Sequence, residues 1–297
     1  AAVPSLRRLA ASAHDVIGVV TRNDAPLGRK RVLTPSPVAR VADELAIPAI
    51  KADRLDADAT ARIAELAPDL GVIVAYGGLV REPLLSTPVR GWINLHFSLL
   101  PRWRGAAPVQ HAIIAGDAET GAAVFQLVPA LDAGDVFGEL RRPIPDDATA
   151  GELLTLLADE GAALLADTVD AIASGSATAV PQTGEATVAP KLALEDGRIR
   201  WSESQAAVLS RIRGVTPEPG AHTIIDDARL KVTAAVAAPA DAPKPAPGEI
   251  VAHGRGVIAG TATDPISLVT VQPAGKPVMA APDWWRGLRA DRKQARL

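Results

Sequence analysis

The chain has 297 residues, 31 basic and 34 acidic side chains for a formal charge of −3, and no cysteine; 48% of its residues are hydrophobic and 3% aromatic. A chain of this length holds one large domain or two, with a core that needs no covalent staples. The absence of thiols excludes a disulfide framework, a cysteine nucleophile and a cysteine-ligated metal, and suits a cytoplasmic, reducing setting. No apolar run approaches the ~20 residues of a membrane span, and the first residues lack the basic-then-apolar pattern of a signal peptide.

In chain order, residues 4–11 read as a helix and 16–21 (VIGVVT) as a short buried strand. Residues 22–37 are rich in Pro, Gly and Arg and read as a long loop. Helices come next at 38–45 and 58–66, with short strands from 48 to 50 and over 69–75 (DLGVIVA). A short helix starts at 82–85, a strand covers 91–96 (GWINLH), and a helix covers 108–115. Strands at 121–128 and 135–144 precede one long amphipathic helix at 149–174. Strands alternating with helices predict an α/β domain with a mostly parallel sheet over residues 1–178.

The character then changes. Small residues, Pro and Gly without a helical period make 179–195 a linker. Beyond it the runs are short and β-like, at 223–225, 230–234, 250–252, 256–259 and 267–272, with one helix at 204–213 and a Pro/Ala loop at 237–248. That pattern predicts a small β-barrel of the oligonucleotide-binding kind over 196–297.

The densest segment for chemistry is 94–110, N-L-H-F-S-L-L-P-R-W-R-G-A-A-P-V-Q. Asn94 and His96 are two apart at the end of a strand, so alternation puts them on one face. In an open α/β sheet that end is where ligands bind, and an amide beside an imidazole supplies an oxyanion donor and a proton-transfer group. Alone, an N-x-H is better read as a turn cap and a packed histidine.

The residues next to it decide between these readings. Ser98-Leu99-Leu100-Pro101 and the downstream Gly105 resemble the hallmark of the folate-dependent formyltransferase family, N-x-H-x-S-L-L-P. Leu131-Asp132-Ala133-Gly134-Asp135 resembles its second element, and Val74-Ala75-Tyr76-Gly77-Gly78-Leu79 its pterin-side turn. The finer likeness runs end to end, through residues 3–6, 21–29, 34–38, 103–108 and 198–201, to the members that act on methionyl-tRNA. The resemblance implies a Rossmann-like formyltransferase domain followed by a small OB-like β-barrel. It implies transfer of a formyl group from 10-formyltetrahydrofolate to the α-amino group of methionyl initiator tRNA. Asn94, His96 and Asp132 would be catalytic; Ser98, Leu99, Leu100, Pro101, Gly78, Leu79 and Val80 would contact folate. Asp135 is the competing carboxylate, ranked lower because the family's aspartate precedes the glycine.

In such proteins the insertion at 22–37 enters the acceptor stem of the tRNA. Here it carries Arg22, Arg29, Lys30 and Arg31 against Asp24 alone, and these four are the expected tRNA contacts. Residues 195–297 hold 14 basic and 11 acidic side chains; Arg286, Arg289, Arg292, Lys293 and Arg296 near Trp284 and Trp285 suggest phosphate and stacking contacts. The overall charge therefore hides two basic regions. No metal is expected, since His14, His111, His222 and His253 are scattered. A monomer is expected. The family begins with a strand and a Gly-Thr-Pro turn ahead of the residues matching 1–6, which implies roughly ten or more residues upstream. The rival readings are a formyltransferase of the same fold acting on a nucleotide-sugar amine, and a tRNA-binding protein with a decayed site. The basic loop argues against the first and the intact Asn94, His96 and Asp132 against the second.

Overall fold

The computed structural model describes residues 1–28, 31–288 and 292–296. In chain order the elements are α1 (Ala2–Ala10), β1 (Val19–Thr21), β2 (Ala25–Leu27), β3 (Val32–Thr34), α2 (Pro37–Glu44), β4 (Ala49–Lys51), α3 (Ala57–Glu65), β5 (Gly71–Val74), β6 (Trp92–His96), β7 (Arg104–Gly105), α4 (Pro108–Ala115), β8 (Glu119–Gln126), β9 (Val136–Pro143), α5 (Ala150–Ser174) and β10 (Val188–Ala189). After these come α6 (Gln205–Gly214), β11 (His222–Ile225), β12 (Ala228–Ala237), β13 (Glu249–His253), β14 (Gly256–Ala259), β15 (Ile266–Pro273), β16 (Met279–Ala280), α7 (Ala281–Leu288) and β17 (Arg292–Gln294). They form two compact units: Ala1–Pro108 with Thr120–Arg142 and Leu154–Ala189, and Val109–Glu119 with Pro143–Leu153 and Pro190–Leu297.

Helices start where side chains satisfy their first N–H groups. Ser36 accepts from the Ala39 N–H ahead of α2, with Pro37 in the first turn. Asp56 does the same for α3 and Ser204 for α6. Thr149 and Glu152 bond reciprocally at the start of α5. Each cap is worth about 1 kcal/mol, and the expected helix boundaries at 38, 58, 149 and 204 fall at or beside these residues.

The strands of the first unit form separate ladders. β1 pairs parallel with β4, from Val19↔Ala49 to Thr21↔Lys51. A four-stranded sheet runs β5-β6-β8-β9, parallel between β5 and β6 and antiparallel between β6 and β8. Among the described residues no ladder joins β1 to β5, and both border a cavity of ≈ 840 Å³ that α1 and the end of α5 also line. Helix α5 covers one face of β6: a Cβ on Gly161 would stand 3.1 Å from Leu95. By alternation, Asn94 and His96 belong to the opposite face.

Two expectations change here. Residues 22–37, expected as a long loop, contain an antiparallel ribbon in which Ala25, Pro26 and Leu27 pair with Thr34, Leu33 and Val32. Pro26 argues against a central strand, but a ribbon is all edge and accommodates it. Gly28 (φ +69) and Arg31 (φ +50) turn the chain between its strands. Residues 179–195, expected as a linker, carry β10, which pairs parallel with β7.

In the second unit an antiparallel sheet runs β11-β12-β15-β14-β13-β17, with β16 on β15. The ladder stays open among the described residues. Between its ends, the Arg296 N–H donates to the Ile224 carbonyl at 3.0 Å, and Lys293 and Arg296 pair with Asp226 and Asp227. The core gathers Ile199, Trp201, Val208, Ile212, Ile250 and Val271, and the Trp201 indole donates to Thr223 Oγ1 at 3.0 Å. Trp284 and Trp285, expected as stacking platforms, are each only 8% exposed and pack edge-to-face within this core. Tryptophan beside arginine has the same sequence signature in either role; here burial decides for packing. Arg286 pairs with Asp283. Arg289 and the Arg292 side chain lie outside the described part.

Candidate active site

His96 ends β6 and is 6% exposed. Its Nε2 lies 2.9 Å from the Trp103 carbonyl oxygen. A carbonyl only accepts, so Nε2 carries a hydrogen. Nδ1 then faces Asp132, whose Oδ2 is 3.8 Å away. Phe125 meets the imidazole edge-on at 6.3 Å. Burial pushes the imidazole below its ordinary pKa, opposed by the Asp132 carboxylate and then by the Trp103 carbonyl. Burial thus favours the neutral form of the ring.

Asn94, two residues earlier, is half-buried, and its carboxamide bonds nothing among the described residues. Asp132 is buried, with φ +44. Its Oδ2 accepts from the Gly105 N–H at 2.7 Å. Gly134, two residues on, has no room for a side chain, since a Cβ there would lie 1.7 Å from the Gln126 carbonyl oxygen. The sequence-predicted Asn94, His96 and Asp132 thus come from the end of β6 and the turn between β8 and β9, and the structure brings His96 and Asp132 together.

The expected folate contacts divide. Ser98 is fully buried and its hydroxyl donates to the Arg102 carbonyl at 2.6 Å, closing the turn from inside. Leu100 is buried against Ala123 and Phe125, Pro101 is buried, and Leu99 is half-buried. Gly78 and Leu79 are exposed, Leu79 by 64%. Val80 is half-buried and lines the ≈ 840 Å³ cavity, which none of Asn94, His96, Asp132 or residues 98–101 reaches.

Sequence reasoning missed the segment that clasps this cluster. The Gln182 carboxamide donates to the carbonyls of Asp132 (2.8 Å) and Gly134 (2.9 Å) and accepts from Arg104 Nη2 (2.6 Å) and Nε (3.2 Å). Thr187 Oγ1 accepts from the Trp103 N–H at 2.9 Å and the Thr187 carbonyl from the Arg104 N–H at 2.9 Å. The Arg102 guanidinium lies 4.6 Å over the Trp103 ring. A lone glutamine between Pro181 and Gly184 carries no period or spacing that would mark it.

Of the expected tRNA contacts, Arg22 is exposed and donates to the Asn23 carbonyl, and Arg31 is exposed at the end of the ribbon. Arg29 and Lys30 lie outside the described residues. The ribbon is tied at its base, where Asn23 donates twice to Asp53 and Lys51 pairs with Asp24. Its apolar side chains Leu27, Val32 and Leu33 are exposed. Among the described residues no group of His, Asp and Glu side chains gathers as metal ligands, and no helix is long and apolar enough to cross a membrane.

Comparison with known proteins agrees with this architecture. The formyl transferase family matches residues 3–169, and the formyl transferase C-terminal domain matches residues 191–289. A methionyl-tRNA formyltransferase of Clavibacter sepedonicus is 64% identical over 288 residues, covering 97% of this chain and 94% of that protein. Among solved structures, the sugar 3N-formyl transferase WlaRD superimposes with a TM-score of 0.68 at 16% identity, covering 93% of this chain and 95% of that one. HypX from Aquifex aeolicus in complex with tetrahydrofolic acid superimposes at 0.61 and 17% identity over 94% of this chain and half of its own. Both structural likenesses establish the shared fold.

Proposed function

The chain belongs to the methionyl-tRNA formyltransferase family, and from that premise we propose that it transfers a formyl group from 10-formyltetrahydrofolate to the α-amino group of methionyl initiator tRNA. The observation that carries the reading is buried His96 facing Asp132 across 3.8 Å at the carboxyl end of β6, with the unbonded Asn94 amide on the same strand. The amine nitrogen attacks the formyl carbon, a C–N bond forms, and the carbonyl oxygen takes up negative charge. Asn94 donates to that oxygen, a contribution of about 2.7–4 kcal/mol for one fixed donor. Collapse breaks the bond from the formyl carbon to the folate nitrogen. The proton lost by the amine balances the one this nitrogen gains. We assign that exchange to the His96–Asp132 pair acting together: neutral His96 accepts, and Asp132 steadies the imidazolium.

Folate binds, in this reading, with its pterin edge on the backbone of Gly78, Leu79 and Val80 and beside Leu99, while Ser98, Leu100 and Pro101 shape the wall behind it. The ribbon carries Arg22, Arg29, Lys30 and Arg31 to the tRNA, its uncovered apolar side chains being available for the same surface. The second unit acts as an OB-like barrel whose open seam is held by the Lys293–Asp226 and Arg296–Asp227 pairs. The enzyme works as a monomer in the cytoplasm.

The test is direct. With 10-formyltetrahydrofolate as donor, the chain is expected to formylate charged initiator tRNA and to leave a nucleotide-linked amino sugar unchanged. The reverse preference overturns the reading.

A further inference from the structure

We infer that Gln182 is a positioning residue for formyl transfer: its carboxamide ties β7 at Arg104 to the loop of Asp132 and so sets where the Asp132 carboxylate stands beside His96. The inference rests on the reaction proposed above.

A glutamine side chain has two N–H donors and an oxygen with two lone pairs. At Gln182 all four are used, the donors on the carbonyls of Asp132 and Gly134 and the oxygen on two nitrogens of Arg104. The partners fix the orientation, because carbonyls only accept and a guanidinium only donates. No other side chain of this shape satisfies both sides. Glutamate keeps the Arg104 bonds but sets a carboxylate against two carbonyl oxygens.

The bonds close a ring. From Gln182 it runs to Arg104, along the chain to Gly105, through the Gly105 N–H to the Asp132 carboxylate, and from the Asp132 backbone back to Gln182. Inside the ring, Asp132 holds a left-handed backbone conformation, one that aspartate tolerates better than most residues with a side chain and that the ring's bonds keep in place. His96 and Asp132 do not bond one another directly, so their separation is fixed by what holds each from outside. His96 is held through the Trp103 carbonyl, and Trp103 through Thr187 of the same segment. A displacement near 1 Å in such a constellation can cost about a hundredfold in rate.

The experiment uses the full chain, with steady-state kcat and KM for both substrates in the wild type, Gln182→Glu, Gln182→Leu and Thr183→Ala. Thr183 is exposed in the same segment, and no hydrogen bond joins its side chain to the ring. Gln182→Glu is expected to lower kcat about tenfold or more, with KM for methionyl-tRNA within about twofold. Gln182→Leu is expected to lose at least as much and Thr183→Ala nothing. Thermal melting separates loss of fold from loss of position. Should Gln182→Leu fail to fold, Gln182→Glu, equal in shape, carries the test. Wild-type kcat in Gln182→Glu, a loss confined to KM, an equal loss in Thr183→Ala, or a loss that tracks the unfolded fraction each overturns the inference. An inactive wild type would instead remove the reaction itself, whereas an active wild type with an equally active Gln182→Glu removes only the role of Gln182.

Discussion

Around Asp132, segments centred on residues 96, 104, 132 and 182 are joined by hydrogen bonds from one to the next, the Asn94 amide being left open among the described residues. Beyond Asp24, among the described residues, the side-chain ties of the β2–β3 ribbon of the same unit lie at its root, and Leu27, Val32 and Leu33 stand in solvent. The first region spends its interactions inward, as a reacting centre must if donors are to stand ready before the substrate arrives. The second leaves these side chains uncovered, as the proposed tRNA contact requires. The two should therefore fail differently, one in the rate of the chemical step and the other in the use of the large substrate.

The largest effects break the rigid side. His96→Ala and Asp132→Ala are expected to lower kcat by at least about 10³-fold while tRNA binding, measured by filter retention, persists. Lost binding with normal transfer to a small amine would reverse the roles. Asn94→Ala should cost about 10²–10³ in kcat with little change in KM. Gly134→Ala attacks the scaffold instead. With its Cβ 1.7 Å from the Gln126 carbonyl oxygen, the β8–β9 turn must open, and the melting temperature should fall along with activity.

Smaller effects sharpen the ribbon side. Arg29→Ala is expected to raise KM for tRNA about tenfold and to flatten its salt dependence, with kcat nearly unchanged. An unchanged KM would remove the ribbon from recognition. Acidity gives a further separation. Because burial holds His96 below its ordinary value of about 6.5, the acid limb of kcat should lie below that pH. Stability shifts in the matching direction. The unfolded chain takes up this proton at a higher pH than the folded one, so stability present above about pH 6.5 is lost as pH falls toward the folded value. Asp132→Asn removes the largest influence raising that value, so an NMR titration of the His96 ring should move lower still.

Much of this was legible in the sequence because local physics wrote it there. The apolar period marks the helices at 38–45, 58–66, 149–174 and 204–213, and the alternation of Asn94 and His96 gives the strand and the shared face. Asp132 was legible only through resemblance, since L-D-A-G-D is also ordinary turn chemistry. Gln182 was not legible at all, its partners being an arginine side chain and backbone carbonyls about fifty residues away. The ribbon was read as a loop because Pro and Gly break the strand signal while an isolated two-stranded pair tolerates both. Trp284 and Trp285 were misread because composition does not report burial.

The ring through Gln182 also has a consequence for synthesis. A ribosome releases this chain from its N-terminus, so His96 and Asp132 are made well before the residue that locks them in register. A nascent chain ending ahead of residue 182 holds the proposed reacting groups Asn94, His96 and Asp132 and none of the clasp, and one ending ahead of Thr187 still lacks the Thr187 bond to Trp103. On the inferred role of Gln182, catalytic competence comes late in translation, once the stretch through Ala189 has emerged and β10 has closed on β7.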